Sequence, residues 1–381
     1  MVFEVYFSDY LKKFNEMKPE RWNYHLGCVL MGAEYLYQAT GKKRYLDAIL
    51  NFGKDYVDKD GVIKGFRAEE HNVDLMASGR ILYFLYDYTE EERYLKGIHY
   101  IMEALKAQPR TGFGNFWHKE IYPGQVWLDG LYMVQPFYME YEKRFNHKSN
   151  YQDTLNQFKN VKKYLYDQEK HLYYHGYDER RAMYWADKET GRSPSFWLRA
   201  MGWYVMALCD CYEISDDFEA RVVLGTLLKE AMEGILPYAD KDTGLFYQVV
   251  DHQDMAGNYL ETSGSAMVAY AVLKGSRLGV LDREKYFAIG EHILAALEAE
   301  KIEARDGRFY LTGTCASGGL GLKDGIPGQE ERDGSPEYYL GEAVKDDNAH
   351  GVAACMMAYS EWLKGVTARR RLQYDKAAAF L

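Results

Sequence analysis

The chain has 381 residues, 47% hydrophobic and 15% aromatic, enough for one large core and too long for an average single domain unless the fold is a barrel. A formal net charge of −10 argues against nucleic acid and anionic membranes as partners and leaves any anion site to local groups. Five widely spaced cysteines (Cys28, Cys209, Cys211, Cys315 and Cys355) with no Cys-x-x-Cys suggest neither a disulfide framework nor a zinc site.

In chain order, the opening "MVFEVYFSDYLKKF" has acids early and no basic stretch leading into an apolar run, so it does not read as a signal peptide. Its continuation, "FSDYLKKFNEM", reads as a helix. A rhythm then recurs: an apolar helix, a short polar turn, and an aromatic residue opening a second helix. It appears in "AEYLYQATGKKRYLDAIL" (33–50), "YFLYDYTEEERYLKGIHYI" (83–101) and "FYMEYEKRFNHKSNYQDTL" (137–155). It returns in "ALCDCYEISDDFEARVVL" (207–224) and "AYAVLKGSRLGVLDREKYFAIGEHIL" (269–294). "MMAYSEWLKG" (356–365) ends a sixth helix, for which the opening helix is the missing partner. About twelve helices in six antiparallel pairs follow. No apolar run approaches the roughly 18 residues of a membrane span, and a cytoplasmic setting is expected.

The other ends of the pairs are joined by long links, 57–70, 108–124, 169–194, 239–259 and 303–346. These links carry glycines, aromatics and strand-like alternation, as in "HLYYHGYDERRAMYWA" and "GLFYQVV", and they fall on one face. Long loops in compact domains are usually functional. The helices they lead into are nearly apolar throughout ("SGSAMVAYAVL", "HGVAACMMAYSEW"), while those they leave are striped ("YLDAILNFGKDYV", "ERYLKGIHYIMEALKAQ"). A helix apolar all round is buried, and a striped one lies outside. The expected fold is all-α: an (α/α)6 barrel of six inner and six outer helices, with long, partly β loops at one mouth. It spans 1–365 as a single domain, with 366–381 a tail of unassigned structure. A flat α-solenoid is the alternative, and packing of the first helix against the last decides between them.

The inner helices are expected to begin near Trp22, His71, Gln125, Ser195, Thr262 and Asp347. "SPSFWLRAMGW" offers Ser193 as N-cap and Pro194 as first helical residue, and "ETSGSAM" and "KDDNAHG" offer similar caps. Polar residues near these starts gather at one mouth: Asp74, Asp129, Arg199, Ser263, Asp347 and His350. Helix N-termini there suit a carboxylate-bearing ligand. Asp129, in "YPGQVWLDGLYMVQPFYMEY", lies one turn inside an apolar stretch where an unpaired charge is costly, so a catalytic role competes with helix capping. Pro136, further along, is expected to kink this helix. Asp74, in "EEHNVDLMASGR", is a weaker case of the same kind. His118 and His175 sit on long loops at this mouth, positioned either for a substrate hydrogen bond or for a structural one. His171 and His175 are four apart without the glutamate of a zincin motif, so metal is not indicated. Trp197 and Trp203 flank Arg199. Trp203 reads as core, Trp197 as a face for a sugar ring, and Arg199 needs an anionic partner from the protein or a ligand. "CASGGLGLKDG" lacks phosphate-loop spacing and reads as a flexible part of its loop.

Four segments, in order over nearly the whole chain, carry a resemblance: "FWHKEIYPGQVWLDGLYM", "SFWLRAMGWYVMAL", "ETSGSAMVAYA" and "GLG…RDGSPEYYLGE…HGVAACMMAYSE". Together they resemble the unsaturated rhamnogalacturonyl hydrolases of glycoside hydrolase family 105. The resemblance implies an (α/α)6 barrel, a general acid/base at Asp129 and a second essential acid at Asp74. It further implies substrate contacts from His118, His175, Trp197, Arg199 and Trp203, and no metal or organic cofactor. The implied partner is a small anionic disaccharide, a 4,5-unsaturated uronic acid on rhamnose. The implied reaction departs from the usual two-carboxylate scheme. Asp129 protonates C4, water adds at C5, and the resulting hemiketal opens and expels the aglycone. Asp129 must then start as the acid, which an apolar pocket and a nearby Asp74 both favour. An unsaturated glucuronyl hydrolase acting on glycosaminoglycan or other polyuronate disaccharides would use the same chemistry. A sugar epimerase on the same barrel and a non-catalytic carbohydrate-binding protein are readings from other classes. The sequence assigns no oligomeric state.

Overall fold

Apolar periodicity broken by short polar turns produces helix pairs along the chain. The computed structural model describes residues 2–16, 22–323 and 331–378, with side chains to Ala368. Its helices are α1 (Val2–Glu16), α2 (Tyr24–Thr40), α3 (Lys43–Tyr56), α4 (Asp74–Ala77), α5 (Arg80–Thr89), α6 (Glu92–Lys106) and α7 (Leu128–Phe145). They continue as α8 (Tyr151–Leu165), α9 (Leu198–Ile214), α10 (Phe218–Ile235), α11 (Thr262–Arg277), α12 (Arg283–Lys301), α13 (Pro336–Gly341) and α14 (Ala349–Ala378).

The inner wall is α2, α4 with α5, α7, α9, α11 and α14, each packed on the next, and α14 closes on α2. Gly32 permits that closure, since a Cβ there would come within 2.8 Å of Met356 Cβ. Outside the seam, Phe3 and Phe7 of α1 lie 5.9 and 6.0 Å from the Tyr359 ring of α14. Tyr6 donates to Asp347 Oδ1 at 2.8 Å. The first helix therefore meets the last, and the fold is the closed (α/α)6 barrel rather than a solenoid. Burial follows the expected pattern. α9 is buried without a break from Leu198 to Cys211, whereas α3 buries a stripe including Tyr45, Ile49, Phe52 and Tyr56. At the helix C-terminal end of the barrel, Asp210 of α9 binds Arg80 of α5 and Lys274 of α11, both at 2.7 Å, and accepts from Tyr270 at 2.6 Å, all within the core. No helix among the described residues is long and apolar enough to cross a membrane.

The opposite end carries the long loops, and short backbone pairings tie them to one another. β1 (Gln125–Trp127) pairs antiparallel with β2 (Gly176–Asp178), Val126 facing Tyr177. Val73 N–H donates to His118 O, and Glu120 N–H to His71 O. Leu198 N–H donates to Gln248 O, Val250 N–H to Phe196 O, and Thr262 N–H to Gly313 O. β3 (Ile302–Arg305) and β4 (Arg308–Leu311) form a hairpin whose turn residues, Asp306 and Gly307, have φ of 51° and 74°. β5 (Thr314–Cys315) pairs with β8 (Val344–Lys345), and β6 (Gly321–Leu322) with β7 (Glu331–Arg332).

Some local expectations differ from what is observed. α9 begins at Leu198, not Pro194, because backbone bonds of Phe196 and Leu198 to Val250 and Gln248 hold the chain out of the helix up to Trp197. Ser193 Oγ instead accepts from Gly176 N–H at 3.1 Å. The alternating "GLFYQVV" makes only isolated bridges, Trp197 with Val249 and Tyr247 with Leu260, because its partners are neighbouring loops crossing briefly at the mouth. The Gly-rich "CASGGLGLKDG" contributes to β5 and β6, its residues 324–325 lying outside the described ones. Met17, at the end of the expected opening helix, also lies outside them. For the tail, which the sequence left unassigned, α14 continues as helix to Ala378.

Candidate active site

Asp129 owes its place to the short β1–β2 pair. Trp127 ends β1 in extended conformation, and Leu128 N–H donates to His175 O at 3.0 Å, so α7 starts beside the His175 backbone. Asp129, the second residue of α7, is 8% exposed. Its Oδ2 lies 3.1 Å from His175 Nε2, yet neither atom has a hydrogen-bond partner, so the two approach without alignment. His175 is fully buried, and its Nδ1 meets the Tyr339 hydroxyl of α13 at 2.6 Å.

Asp74 opens α4 on the neighbouring inner helix. A bridge between Asn72 and Lys119 lays the loop after α6 alongside it. Lys119 Nζ stands 2.8 Å from Asp74 Oδ2, and His118 Nε2 stands 3.5 Å from Oδ1. Burial alone would raise the Asp74 carboxyl, but Lys119 and His118 overcome it and hold the group below the usual carboxylate range. Burial pushes His118 down to about 4 against the pull of Asp74, so the imidazole is neutral at pH 7. Its Nδ1 has no partner and faces Gly130, which assigns the ring proton to Nε2, toward Asp74. The His118 ring stacks on Trp127 at 4.3 Å, and Trp127 stacks on Tyr122 at 5.0 Å.

Arg199, near the start of α9, is 1% exposed. Its Nη1 donates to Cys315 O at 2.6 Å and to Ser263 Oγ at 3.3 Å. Ser263 in turn donates to Glu261, the N-cap of α11, which also accepts from the backbone N–H groups of Gly264 and Cys315. No carboxylate among the described residues pairs with Arg199. Trp197 is fully enclosed: Tyr339 stacks on it at 5.4 Å and 11°, and a Cβ at Gly318 would come within 2.5 Å of its ring. Trp203 packs deeper, stacked on Tyr132 at 4.8 Å. A third wall comes from α2 and α14. Tyr24 OH lies 2.8 Å from His350 Nε2, and the His25 ring meets the His350 ring at 4.5 Å. Burial and Arg199 keep both histidines neutral, His25 at about 4.

Of the residues singled out in the sequence, Asp74 and His118 meet directly, as do Asp129 and His175. His175 reaches Trp197, with rings 4.9 Å apart, and Trp197 lies 4.7 Å from the Arg199 guanidinium. Asp347 serves the seam instead, binding Tyr6 and the Leu311 N–H. His171 turns away to Tyr166, so it does not converge with His175. Sequence reasoning passed over Lys119, Tyr339, Tyr24 and His25. Lys119 stood beside His118 in a segment already marked, but nothing local distinguishes it from a solvated loop lysine. Beyond Asp74 opens a cleft of about 610 Å³, bordered by Tyr24, Asn72, Lys119 and the carboxylates of Glu69, Glu70 and Glu120.

The comparisons agree with this architecture. The sequence pattern of Glycosyl Hydrolase Family 88 matches residues 6–366, and the chain belongs to that family; it is a glycoside hydrolase. Among solved structures it is similar to a family 105 glycoside hydrolase of C. acetobutylicum, with 38% identity, 93% of this chain and 98% of that chain covered, and a TM-score of 0.88. A protein of Agrobacterium fabrum is 42% identical over 235 residues, 61% of this chain and 98% of its own length. The unsaturated rhamnogalacturonyl hydrolase YesR of Bacillus subtilis is 24% identical over 267 residues, covering 68% of this chain and 72% of YesR.

Proposed function

We propose that the protein removes a 4,5-unsaturated galacturonyl residue from rhamnogalacturonan-derived disaccharides by acid-initiated hydration of the C4=C5 bond. The observation that carries the reading is the pair of aspartates at the loop-bearing mouth, a half-buried Asp74 held as a carboxylate by Lys119 and a buried Asp129 without any lysine or arginine partner among the described residues. Asp129 delivers its proton to C4, and positive charge develops at C5 and the ring oxygen. The Asp74 carboxylate offsets that charge, acting across a site from which burial excludes most water. Water adds at C5 and gives up its proton to the Asp129 carboxylate, restoring the acid. The hemiketal then opens, and the aglycone leaves with its own oxygen. Arg199 is the candidate for the uronate carboxylate, since among the described residues its hydrogen bonds are made through Nη1 alone.

The same chemistry serves unsaturated glucuronyl substrates, and a solved neighbour is an unsaturated glucuronyl hydrolase specific for heparin, 16% identical with a TM-score of 0.68. The acidic border of the cleft favours the pectic disaccharide. Glu69 and Glu120, with Glu70 paired to Arg67 beside them, disfavour a sulfated or uronate-bearing aglycone and tolerate neutral rhamnose. A cytoplasmic setting, in keeping with five buried free thiols, belongs to the same proposal. The test is turnover of the unsaturated galacturonyl-rhamnose disaccharide in D2O. The reading expects near-ultraviolet absorbance to disappear while one deuterium enters C4. Release of rhamnose without deuterium at C4 would discard hydration. Faster turnover of a sulfated glucuronyl disaccharide would discard the choice of aglycone.

A further inference from the structure

The two aspartates differ in one respect that sequence motifs do not encode: a lysine is bound to one of them. We propose that Lys119 is a positioning residue that divides the work between the aspartates, fixing Asp74 as the charged partner and leaving Asp129 to carry the proton. The inference rests on the hydrolytic reading above and adds to it a residue that acts through Asp74.

The geometry is specific. Lys119 Nζ is 2.8 Å from Asp74 Oδ2, with the lysine side chain 21% exposed and that of Asp74 13%. The main chain on each side of Lys119 is bonded to the strand entering α4: Val73 N–H to His118 O, and Glu120 N–H to His71 O. Lysine and aspartate therefore sit on one backbone frame, and the pair is not a chance meeting of two long side chains. Among the described residues Asp129 has no comparable partner; it meets His175 Nε2 at 3.1 Å in a misaligned contact.

The surroundings show why a cation is needed there. Asp74 faces His118 from its own loop frame and Tyr24 and His25 from α2, and Glu69, Glu70 and Glu120 border the same cleft. Burial holds His118 and His25 at about 4, so neither is a cation at neutral pH. Burial, with Asp74 nearby, keeps the Tyr24 phenol protonated. Lys119 is the only lysine or arginine paired with Asp74 among the described residues, and Asp74 in turn keeps the half-buried ammonium charged. Without it, a half-buried carboxylate among other acids takes up a proton more readily. Two neutral carboxyls would then face the substrate, and neither would balance charge developing at C5.

The test compares Lys119→Met, Lys119→Arg, Asp74→Asn and the Lys119→Met/Asp74→Asn double variant in the full chain. kcat and KM are followed across acid and neutral pH on the unsaturated disaccharide. Lys119→Met is expected to lower kcat at neutral pH by about 10- to 100-fold, with KM nearly unchanged. Its acid limb should move to higher pH, because Asp74 has lost the cation that held it down. Lys119→Arg should return the limb toward wild type, and Lys119→Met should add little on top of Asp74→Asn. The proposal is overturned by an unmoved acid limb, by a rise in KM alone (lysine then touches the substrate directly), or by losses that multiply in the double variant. If Lys119→Met does not fold, Lys119→Gln, which keeps a donor without the charge, answers the same question. An inactive wild-type chain would instead overturn the hydrolytic reading, and this inference with it.

Discussion

Asp129 stands out in the sequence because its type clashes with its neighbours, and the structure places that one acid among Trp, Leu, Tyr and Met at the loop-bearing mouth. Asp129→Asn keeps the side chain's size but cannot deliver a proton, so kcat should fall by about 10²–10⁴ with the melting temperature little changed. Near-normal turnover in that variant would remove Asp129 from the chemistry. Arg199 was legible for the same reason, but its protein partners were not. The sequence called for an anion, and the structure supplies a carbonyl, Cys315 O, and a hydroxyl, Ser263 Oγ. Such neutral partners orient the fork without neutralising it, which is what a site for a ligand carboxylate requires. Arg199→Lys loses the planar fork, and KM for the unsaturated disaccharide should rise about tenfold, with kcat less affected. An unchanged KM would make the residue structural. Lys119 and Tyr339 were illegible for the opposite reason. Each is an ordinary residue for its local sequence, and each is set apart only by a partner from elsewhere in the fold, Asp74 of α4 for Lys119 and His175 for Tyr339.

At the level of elements, helix type and order were readable from the contrast between uniformly apolar and striped segments. Helix starts were less so. Ser193–Pro194 carries every local mark of an N-terminus, yet the chain bends there and enters the helix only after Trp197, because the 248–250 segment supplies Phe196 and Leu198 with backbone partners. Tertiary hydrogen bonds outweighed local propensity. The same limit applies to the buried ion group, where Asp210, Arg80 and Lys274 come from three different helices. Asp210→Ala would leave two cations buried without their carboxylate, and unfolding free energy should drop by about 3–5 kcal/mol. Denaturant titration measures this directly. A loss under about 1 kcal/mol would mean that water or Glu213, 2.6 Å from Lys274, compensates.

For the molecule as a whole, the buried histidines set an acid limit. Burial holds His118 and His25 at about 4, and His350 well below its usual 6.5. The unfolded chain accepts protons that these sites refuse. Their contribution is therefore complete above about 6.5 and is lost as pH falls toward 4. Glu34 works in the other direction. Burial raises it from 4.5 to about 7, so its contribution declines as pH rises through that range. Three histidines against one glutamate leave a net loss on acidification, and the melting temperature should fall steadily between about pH 6.5 and 5. A melting temperature that is flat or rises toward acid would contradict this account of the histidines.

The five free cysteines give the chain a built-in record of its own opening. Cys28, Cys209, Cys211 and Cys355 are buried in the inner helices α2, α9 and α14, while Cys315 is buried in β5, in the loop wall that receives Arg199. A thiol shut inside a helix barrel meets a soluble alkylating reagent only when the barrel comes apart. Cys315 is held by the short β5–β8 pairing instead of a helix interior, and it should label ahead of the other four. One labelling experiment on the native chain then gives two rates, one for the loop wall and one for the barrel beneath it. Their ratio measures how independently the two parts open.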